Sequence, residues 1–306
     1  MIPIITIEGA TATGKSALAI DLAQALDTEI ISADSRQVYR RMDIGTAKVS
    51  KAEQRKVKHH LIDIVDPDAT YNAGAFVVDA DNVIKNLHER GKIPIVCGGT
   101  GLYVSSLIHG LCPLPTIDPQ IKTELFHRLE CEGLDSLYQE LMKIDPVVAA
   151  NISSNDPQRT LRALEVFYGT GNPLSWHWAN QERQCRYKCL RIQLQLARED
   201  LYARIEFRLG MMLKDGLLAE IGNLLANGYS AQTPGMKCLG YKEFIPYIHG
   251  LIPLETAISL AAQHQRNLAK RQLTWYRKHS FDLTLDSRSF KLSDIITILK
   301  DFIVEE

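Results

Sequence analysis

The sequence predicts an α/β fold: a mostly parallel sheet with helices on both faces, interrupted by an all-helical insertion. Three observations predict it. The apolar run 2–7 leads into a glycine-rich turn and then a helical stretch. Short apolar runs and helical stretches then alternate. From Pro113 the texture changes: Pro113, Pro115 and Pro119 punctuate a linker, and no strand-like run returns until Lys188.

Taken in order, Gly9-Ala10-Thr11-Ala12-Thr13-Gly14-Lys15-Ser16 fits the phosphate-binding pattern G-x-x-x-x-G-K-[ST]. Backbone N–H groups of such a turn converge with the helix N-terminus into an anion site. Lys15 adds a point charge, and the Ser16 hydroxyl a ligand for a phosphate-bound Mg²⁺. The core therefore reads as P-loop NTPase-like. A helix over 15–26 and a second strand over 28–33 follow, then apolar runs at 60–65 and 93–97. Between those runs 73–90 is helical, with Gly91 as its stop. Residues 1–115 thus form the first part of the core. Residues 116–185 form the insertion, with helices at 120–131, 134–143, 146–151 and 157–168. Residues 186–306 return to the core with basic C-terminal helices. There 190–196 alternates apolar and polar as a strand, and 199–227 is one long helical stretch. Leu201, Ile205, Leu209 and Leu213 are its expected buried stripe, while Arg204 and Arg208 share another face. Helices at 241–248 and 253–279 complete the pattern.

A chain of 306 residues with 45% hydrophobic content can bury a large core. Its formal charge of −1 gives no global pull on nucleic acid, so an RNA role needs a local patch. Between Thr256 and Phe281 there is no Asp or Glu, but Arg266, Lys270, Arg271, Arg277 and Lys278 occur with Trp275 and Tyr276. That interleaving suits phosphate contact and base stacking, or equally a solvated basic face with Trp275 in the core. The six cysteines are scattered without a C-x-x-C pair, which argues against zinc and for reduced thiols in a cytoplasmic protein. No signal-peptide pattern precedes the first strand and no apolar run reaches bilayer-spanning length, so no membrane role is expected.

Two further segments carry chemistry. Asp34 stands at the C-terminal end of the second strand, the edge where ligands collect in open parallel sheets. Its carboxylate can be a Mg²⁺ ligand, a general base or a helix N-cap. Cys97-Gly98-Gly99-Thr100-Gly101 stands at another such end, with Thr100 set to donate to the same phosphate or simply to begin a helix. His59 and His60, at a strand start, read as structural.

In order along the chain, Gly9 to Ser16, then Asp34-Ser35-Arg36-Gln37-Val38-Tyr39 with Met42-Asp43-Ile44-Gly45-Thr46-Ala47-Lys48, then His59-His60-Leu61-Ile62-Asp63 and Gly98-Gly99-Thr100-Gly101-Leu102-Tyr103, resemble the tRNA dimethylallyltransferases. The likeness continues through Asn155-Asp156-Pro157-Gln158-Arg159, Arg162 to Glu165, Leu201 to Arg208, Leu239 to Lys242 and Lys270 to Arg277. The resemblance spans nearly the whole chain; Ala10 departs from it, standing where that family usually has proline.

The resemblance implies transfer of a dimethylallyl group from dimethylallyl diphosphate to N6 of adenosine 37 in the tRNA anticodon stem-loop. It makes Asp34 the base, with Thr100 and Arg208 acting on the diphosphate held by the glycine turn and by Mg²⁺ through Ser16. It implies tRNA contacts at Asp34, Ser35, Arg36 and Gln37, at Lys122, Gln158, Arg159 and Arg162, and at Lys237, Cys238, Leu239, Gly240, Tyr241 and Lys242. Lys270, Arg271, Trp275 and Arg277 complete that set. A monomer is expected. The competing readings are a small-molecule kinase on the same core and a cousin that prenylates AMP.

Overall fold

The structure is a computed structural model describing residues 1–181 and 184–304. Residues 182–183 and 305–306 of the expected segments lie outside the described residues. The chain divides into two compact units, Met1–Gly110 with Cys185–Glu306, and Leu111–Gln184.

In the first unit, strand β1 (Pro3–Glu8) is buried along its whole length, as a strand covered on both faces must be. It lies between β4 (Ile95–Gly98) and β5 (Lys188–Gln195). Beyond β4 come β2 (Ile30–Ser32) and β3 (His59–His60), and beyond β5 lies β6 (Leu283–Asp286). Every pairing is parallel, with Ile5 opposite both Ile95 and Leu190. Side chains alternate across such a sheet. Ile5 and Ile7 pack with Leu18, Leu22 and Leu299 on one face, while Ile4, Ile31 and Val96 pack with Phe76, Ile84 and Leu107 on the other. Each such side chain contributes roughly 1.5–3 kcal/mol by leaving water. One ion pair interrupts this apolar layer: Arg191 donates to Glu8, which is fully buried, at 2.8 Å. Burial raises the Glu8 pKa, and Arg191 opposes the rise.

Because all strands run one way, their C-terminal ends share one edge. Gly9 follows β1 there, Asp34 follows β2 and Thr100 follows β4. The helices Arg198–Lys214 and Leu254–Tyr276 belong to the same unit. A further apolar cluster joins Leu209 and Met212 to Val38, Met42, Tyr241 and Ala261, tying the segment after β2 to these helices.

Several boundaries differ from the sequence expectation, each for a physical reason. The run at 60–65 is strand only at His59–His60, because Leu61 and Asp63 adopt positive φ. The stretch 199–227 divides into Arg198–Lys214 and Leu217–Ala226 at Gly216, which turns left-handed at φ 101°. Within it Leu213 is only partly buried and Met212 fills the core instead. A strict four-residue spacing drifts about 40° per step on a 3.6-residue helix, so the fourth position rotates off the core. The segment 241–248 is helical only at Ile245–Ile248. Strand β6 and the helix Leu292–Val304 extend the fold beyond the expected elements.

The second unit is helical. Pro119–Ile144 contains the two expected helices, separated by a kink at Gly133, whose φ of 79° is not helical. Pro146–Ala149, Pro157–Thr170 and the unexpected Leu174–Ala179 pack with it around Leu137, Leu141 and Leu164. No helix among the described residues is long and apolar enough to cross a membrane.

The close approach of β5 to the glycine turn is testable. A Cβ on Gly9 would lie 2.4 Å from the Leu194 carbonyl oxygen. Gly9→Ala should lower unfolding free energy by roughly 1–3 kcal/mol in urea denaturation; an unchanged midpoint would contradict this packing.

Candidate functional site

The glycine turn is shaped by its own carbonyls. Lys15 Nζ donates to Ala10 O at 2.6 Å, and Thr13 Oγ1 donates to the same oxygen at 2.8 Å. Ala10 lacks the proline ring but supplies the carbonyl on which Lys15 rests. Ala12 takes φ 63°, a conformation costing a non-glycine residue roughly 1–2 kcal/mol. Gly14, at φ 95°, starts the helix Lys15–Ala25 with no side-chain cap and no acidic residue in its first turn. Its leading N–H groups are therefore left for an anion.

Two side chains from other elements complete the turn. The Thr11 N–H donates to Gln272 Oε1 at 2.9 Å, while Gln272 Nε2 donates to Gly99 O at 2.8 Å. Gln272 thus bridges the glycine turns that follow β1 and β4. Arg208 Nη2 donates to Thr11 Oγ1 at 2.8 Å, and Arg208 Nε is buried with no partner among the described residues.

A pocket of about 730 Å³ opens at this edge. Seven Lys and Arg side chains line it, against a single carboxylate, Asp34. Burial pulls the Lys15 ammonium down to about 8, nearby Arg208 adds to the drop, and Asp34 opposes it. Burial likewise lowers the Arg208 pKa, with Asp34 again opposing. Asp34 Oδ1 accepts the N–H of Arg36 at 2.8 Å and of Gln37 at 3.4 Å, so the carboxylate caps a turn, not a helix. Its other oxygen remains for a ligand. Thr100 Oγ1 accepts the Ser35 N–H at 3.1 Å, fixing the turn after β2 to the turn after β4.

The pocket brings together Thr11, Ala12, Gly14, Lys15 and Ser16 with Asp34, Ser35, Arg36 and Gln37. Thr100, Arg208, Lys237, Leu239, Lys242 and Arg271 share it. Gly9, Ala10 and Thr13 are buried behind the turn. Cys238 and Tyr241 are fully buried, the thiol accepting from Arg36 Nη1 at 3.1 Å and the phenol donating to Glu220 at 2.6 Å. Gly240 is buried against Gly45. Trp275 is half-buried: a Cβ on Gly101 would meet its indole nitrogen at 2.1 Å, and it stacks on His279. Lys270 and Arg277 are exposed. Lys122, Gln158, Arg159 and Arg162 belong to the helical unit and are exposed, Arg159 pairing with Asp156 and Arg162 with Glu165. His59 lies 2.8 Å from Val57 O and His60 2.7 Å from Glu29, so both have structural partners.

Sequence reasoning missed Gln265, Leu268 and Gln272, one face of the helix Leu254–Tyr276, and all three line the pocket. Their three- and four-residue spacing was the available signal, but none carries the charge or glycine that draws notice.

Cations and free amides gathered at the C-terminal edge of a parallel sheet suit a phosphorylated ligand. The chain belongs to the IPP transferase family, whose model matches residues 37–279. Asp34 and the glycine turn precede that range, so their place in the site rests on the geometry above. The chain is 46% identical over 278 residues to the tRNA dimethylallyltransferase of Syntrophobacter fumaroxidans, covering 90% of this chain and 81% of the relative. It is 41% identical over 302 residues to tRNA dimethylallyltransferase 1 of Syntrophotalea carbinolica, covering 98% and 96%. A solved structure of the full-length tRNA isopentenylpyrophosphate transferase of Bacillus halodurans superposes with a TM-score of 0.75 at 36% identity, covering 100% of this chain and 98% of that one. A eukaryotic dimethylallyltransferase acting on tRNA gives a TM-score of 0.84 at 30% identity, covering 100% and 80%.

The depressed Lys15 pKa predicts how anion binding varies with pH. A bound diphosphate favours the charged ammonium, so binding takes up a proton once Lys15 is neutral in the free protein. Affinity for inorganic diphosphate should therefore weaken as pH rises through about 8. Lys15→Arg, which stays charged, should lack that component in calorimetric titrations; the same pH profile in both proteins would contradict it.

Proposed function

We propose that this chain transfers the dimethylallyl group of dimethylallyl diphosphate to N6 of adenosine 37 in tRNA, releasing diphosphate. The observation that carries the reading is a cationic pocket facing one carboxylate, in a chain of the IPP transferase family. The glycine turn belongs to a P-loop-like core and holds the leaving diphosphate. As the allylic C1–O bond breaks, the electron pair leaves with the diphosphate. Lys15, Arg208 and the leading amides of the helix Lys15–Ala25 stabilise that growing negative charge. N6 bonds to C1, and Asp34 takes the proton that the cationic nitrogen sheds. An ordinary carboxylate suffices, because the amine need not be deprotonated before attack.

The Ser16 hydroxyl is exposed beside Lys15, and among the described residues no group of three or more His, Cys, Asp or Glu is placed to hold a metal ion by itself. This donor set fits Mg²⁺ held by Ser16 and by the substrate's own phosphate oxygens. When bound, the ion adds positive charge against the leaving diphosphate.

The adenine must leave its stack to reach the pocket, which costs only a few kcal/mol in a loop. Ser35, Arg36 and Gln37, directly after Asp34, then contact it. Lys237, Leu239, Lys242 and Arg271 on the pocket wall meet the surrounding RNA, and exposed Lys270 and Arg277 extend the basic surface. Buried Cys238, Gly240 and Tyr241 act through the shape of their segment, and Trp275 through its packing on Gly101. The helical unit is an insertion domain whose Lys122, Gln158, Arg159 and Arg162 meet RNA phosphates. Its exposed ion pairs are weak enough for a phosphate to displace. The protein works as a monomer in the cytoplasm.

Mass spectrometry of an unmodified tRNA transcript, incubated with the protein, Mg²⁺ and dimethylallyl diphosphate, should find one dimethylallyl group at adenosine 37. Transfer to AMP alone, or phosphorylation of a small molecule with ATP, would contradict the reading. Asp34→Asn keeps Oδ1 as the turn's acceptor but removes the base. It should lower turnover about 10²–10⁴-fold with tRNA affinity nearly unchanged; a wild-type rate would exclude Asp34 as the base.

A further inference from the structure

Gln265 and Gln272 line the same pocket from one helix but use their amides differently. Gln272 engages protein at both ends. Gln265 is 5% exposed, and its carbonyl oxygen is buried without a hydrogen-bond partner among the described residues. Such a group destabilises a fold unless something outside the protein satisfies it.

Position narrows what that something is. Gln265 lies seven residues before Gln272, about 10 Å along the helix from the side chain that touches the glycine turn. It abuts a different wall: a Cβ on Gly240 would lie 3.9 Å from Gln265 Nε2. Two residues earlier, Cys238 holds Arg36, whose own N–H is bound to Asp34. Gln265 thus stands away from the phosphates, on the wall that supports the base-bearing turn.

We propose that Gln265 determines acceptor specificity by reading the Hoogsteen edge of the target adenine. Its carbonyl oxygen accepts one N6–H, and its amide N–H donates to N7. A carboxamide matches that donor–acceptor pair in one plane. Guanine offers two acceptors at the same edge, O6 and N7, and leaves the Gln265 oxygen unpaired. N6 carries two hydrogens, so one stays on Gln265 while the other passes to Asp34 as the C–N bond forms. This assignment rests on the proposed transfer to tRNA.

The test uses anticodon stem-loop RNAs carrying adenosine or 7-deazaadenosine at position 37, with the wild type, Gln265→Met and Gln265→Glu. Wild-type transfer to the adenosine RNA first reads the reaction itself; no transfer to either RNA removes both the reaction and this assignment. Replacing N7 should cost the wild type about tenfold in kcat/KM. Each variant should lose about tenfold on the adenosine RNA, keep its KM for dimethylallyl diphosphate, and lose nothing further on the 7-deaza RNA. Gln265→Glu preserves the side-chain shape, so the coupling stays readable even where Gln265→Met folds poorly. A 7-deaza penalty equal in wild type and variants, or none in the wild type, would overturn the assignment.

Discussion

The positive charge gathered at the C-terminal edge of the sheet has too little counter-charge in the protein, and the rest of the site follows from that. Lys15 rests on a neutral carbonyl and Arg208 on a neutral hydroxyl, with one carboxylate in the pocket they share. Burying cations on such terms is costly, and the drop in the Lys15 pKa expresses that cost. A bound anion would relieve it. In the proposed reaction the same arrangement suits catalysis, because the charge on the leaving oxygens is greatest after the C–O bond has broken, so the pocket would favour the transition state over the bound substrate.

Holding such a pocket open requires support from groups that carry no chemistry. Gln272 spans the two glycine turns and fixes their separation. Glu220 accepts the N–H groups of Asp43, Ile44 and Gly45 and the Tyr241 hydroxyl, joining the loop after β2 to the segment carrying Lys237 and Lys242. Gly45 must be glycine there, since a Cβ would lie 2.4 Å from the Tyr241 ring. Deeper in the sheet, Glu8 and Arg191 neutralise each other beneath the glycine turn, with Thr6 also donating to Glu8. Each support is a satisfied polar group, in contrast to Gln265, whose carbonyl oxygen has no partner among the described residues.

Much of this was legible in the sequence where a local pattern carries its own physics. The run before Gly9 had to be a buried strand, and Gly14-Lys15-Ser16 had to open a helix. Asp34 and Thr100 fell at strand ends because apolar runs stop there. What was not legible depends on tertiary contact. Gly216 interrupts helical periodicity without a proline or polar cluster to announce it, whereas the break at Gly133 falls between two helices already separate in the sequence pattern. Tyr241 and Trp275 sit in basic, RNA-like strings, yet one is closed off by Glu220 and the other packs on Gly101, partners 21 and 174 residues away in the chain. Gln265 and Gln272 look alike in composition, and only the fold distinguishes the bridging amide from the one whose carbonyl oxygen lacks a partner among the described residues.

In the proposed reaction the glycine turn holds the diphosphate while the reacting carbon faces Asp34. A crystal structure with dimethylallyl thiolodiphosphate, whose sulfur bridge resists ionisation, tests it directly. Phosphate oxygens are expected on the amides of residues 13–16 and on Lys15 and Arg208, with C1 of the allyl group turned toward the second oxygen of Asp34. A diphosphate bound away from the glycine turn, or an allyl chain directed away from Asp34, would contradict it.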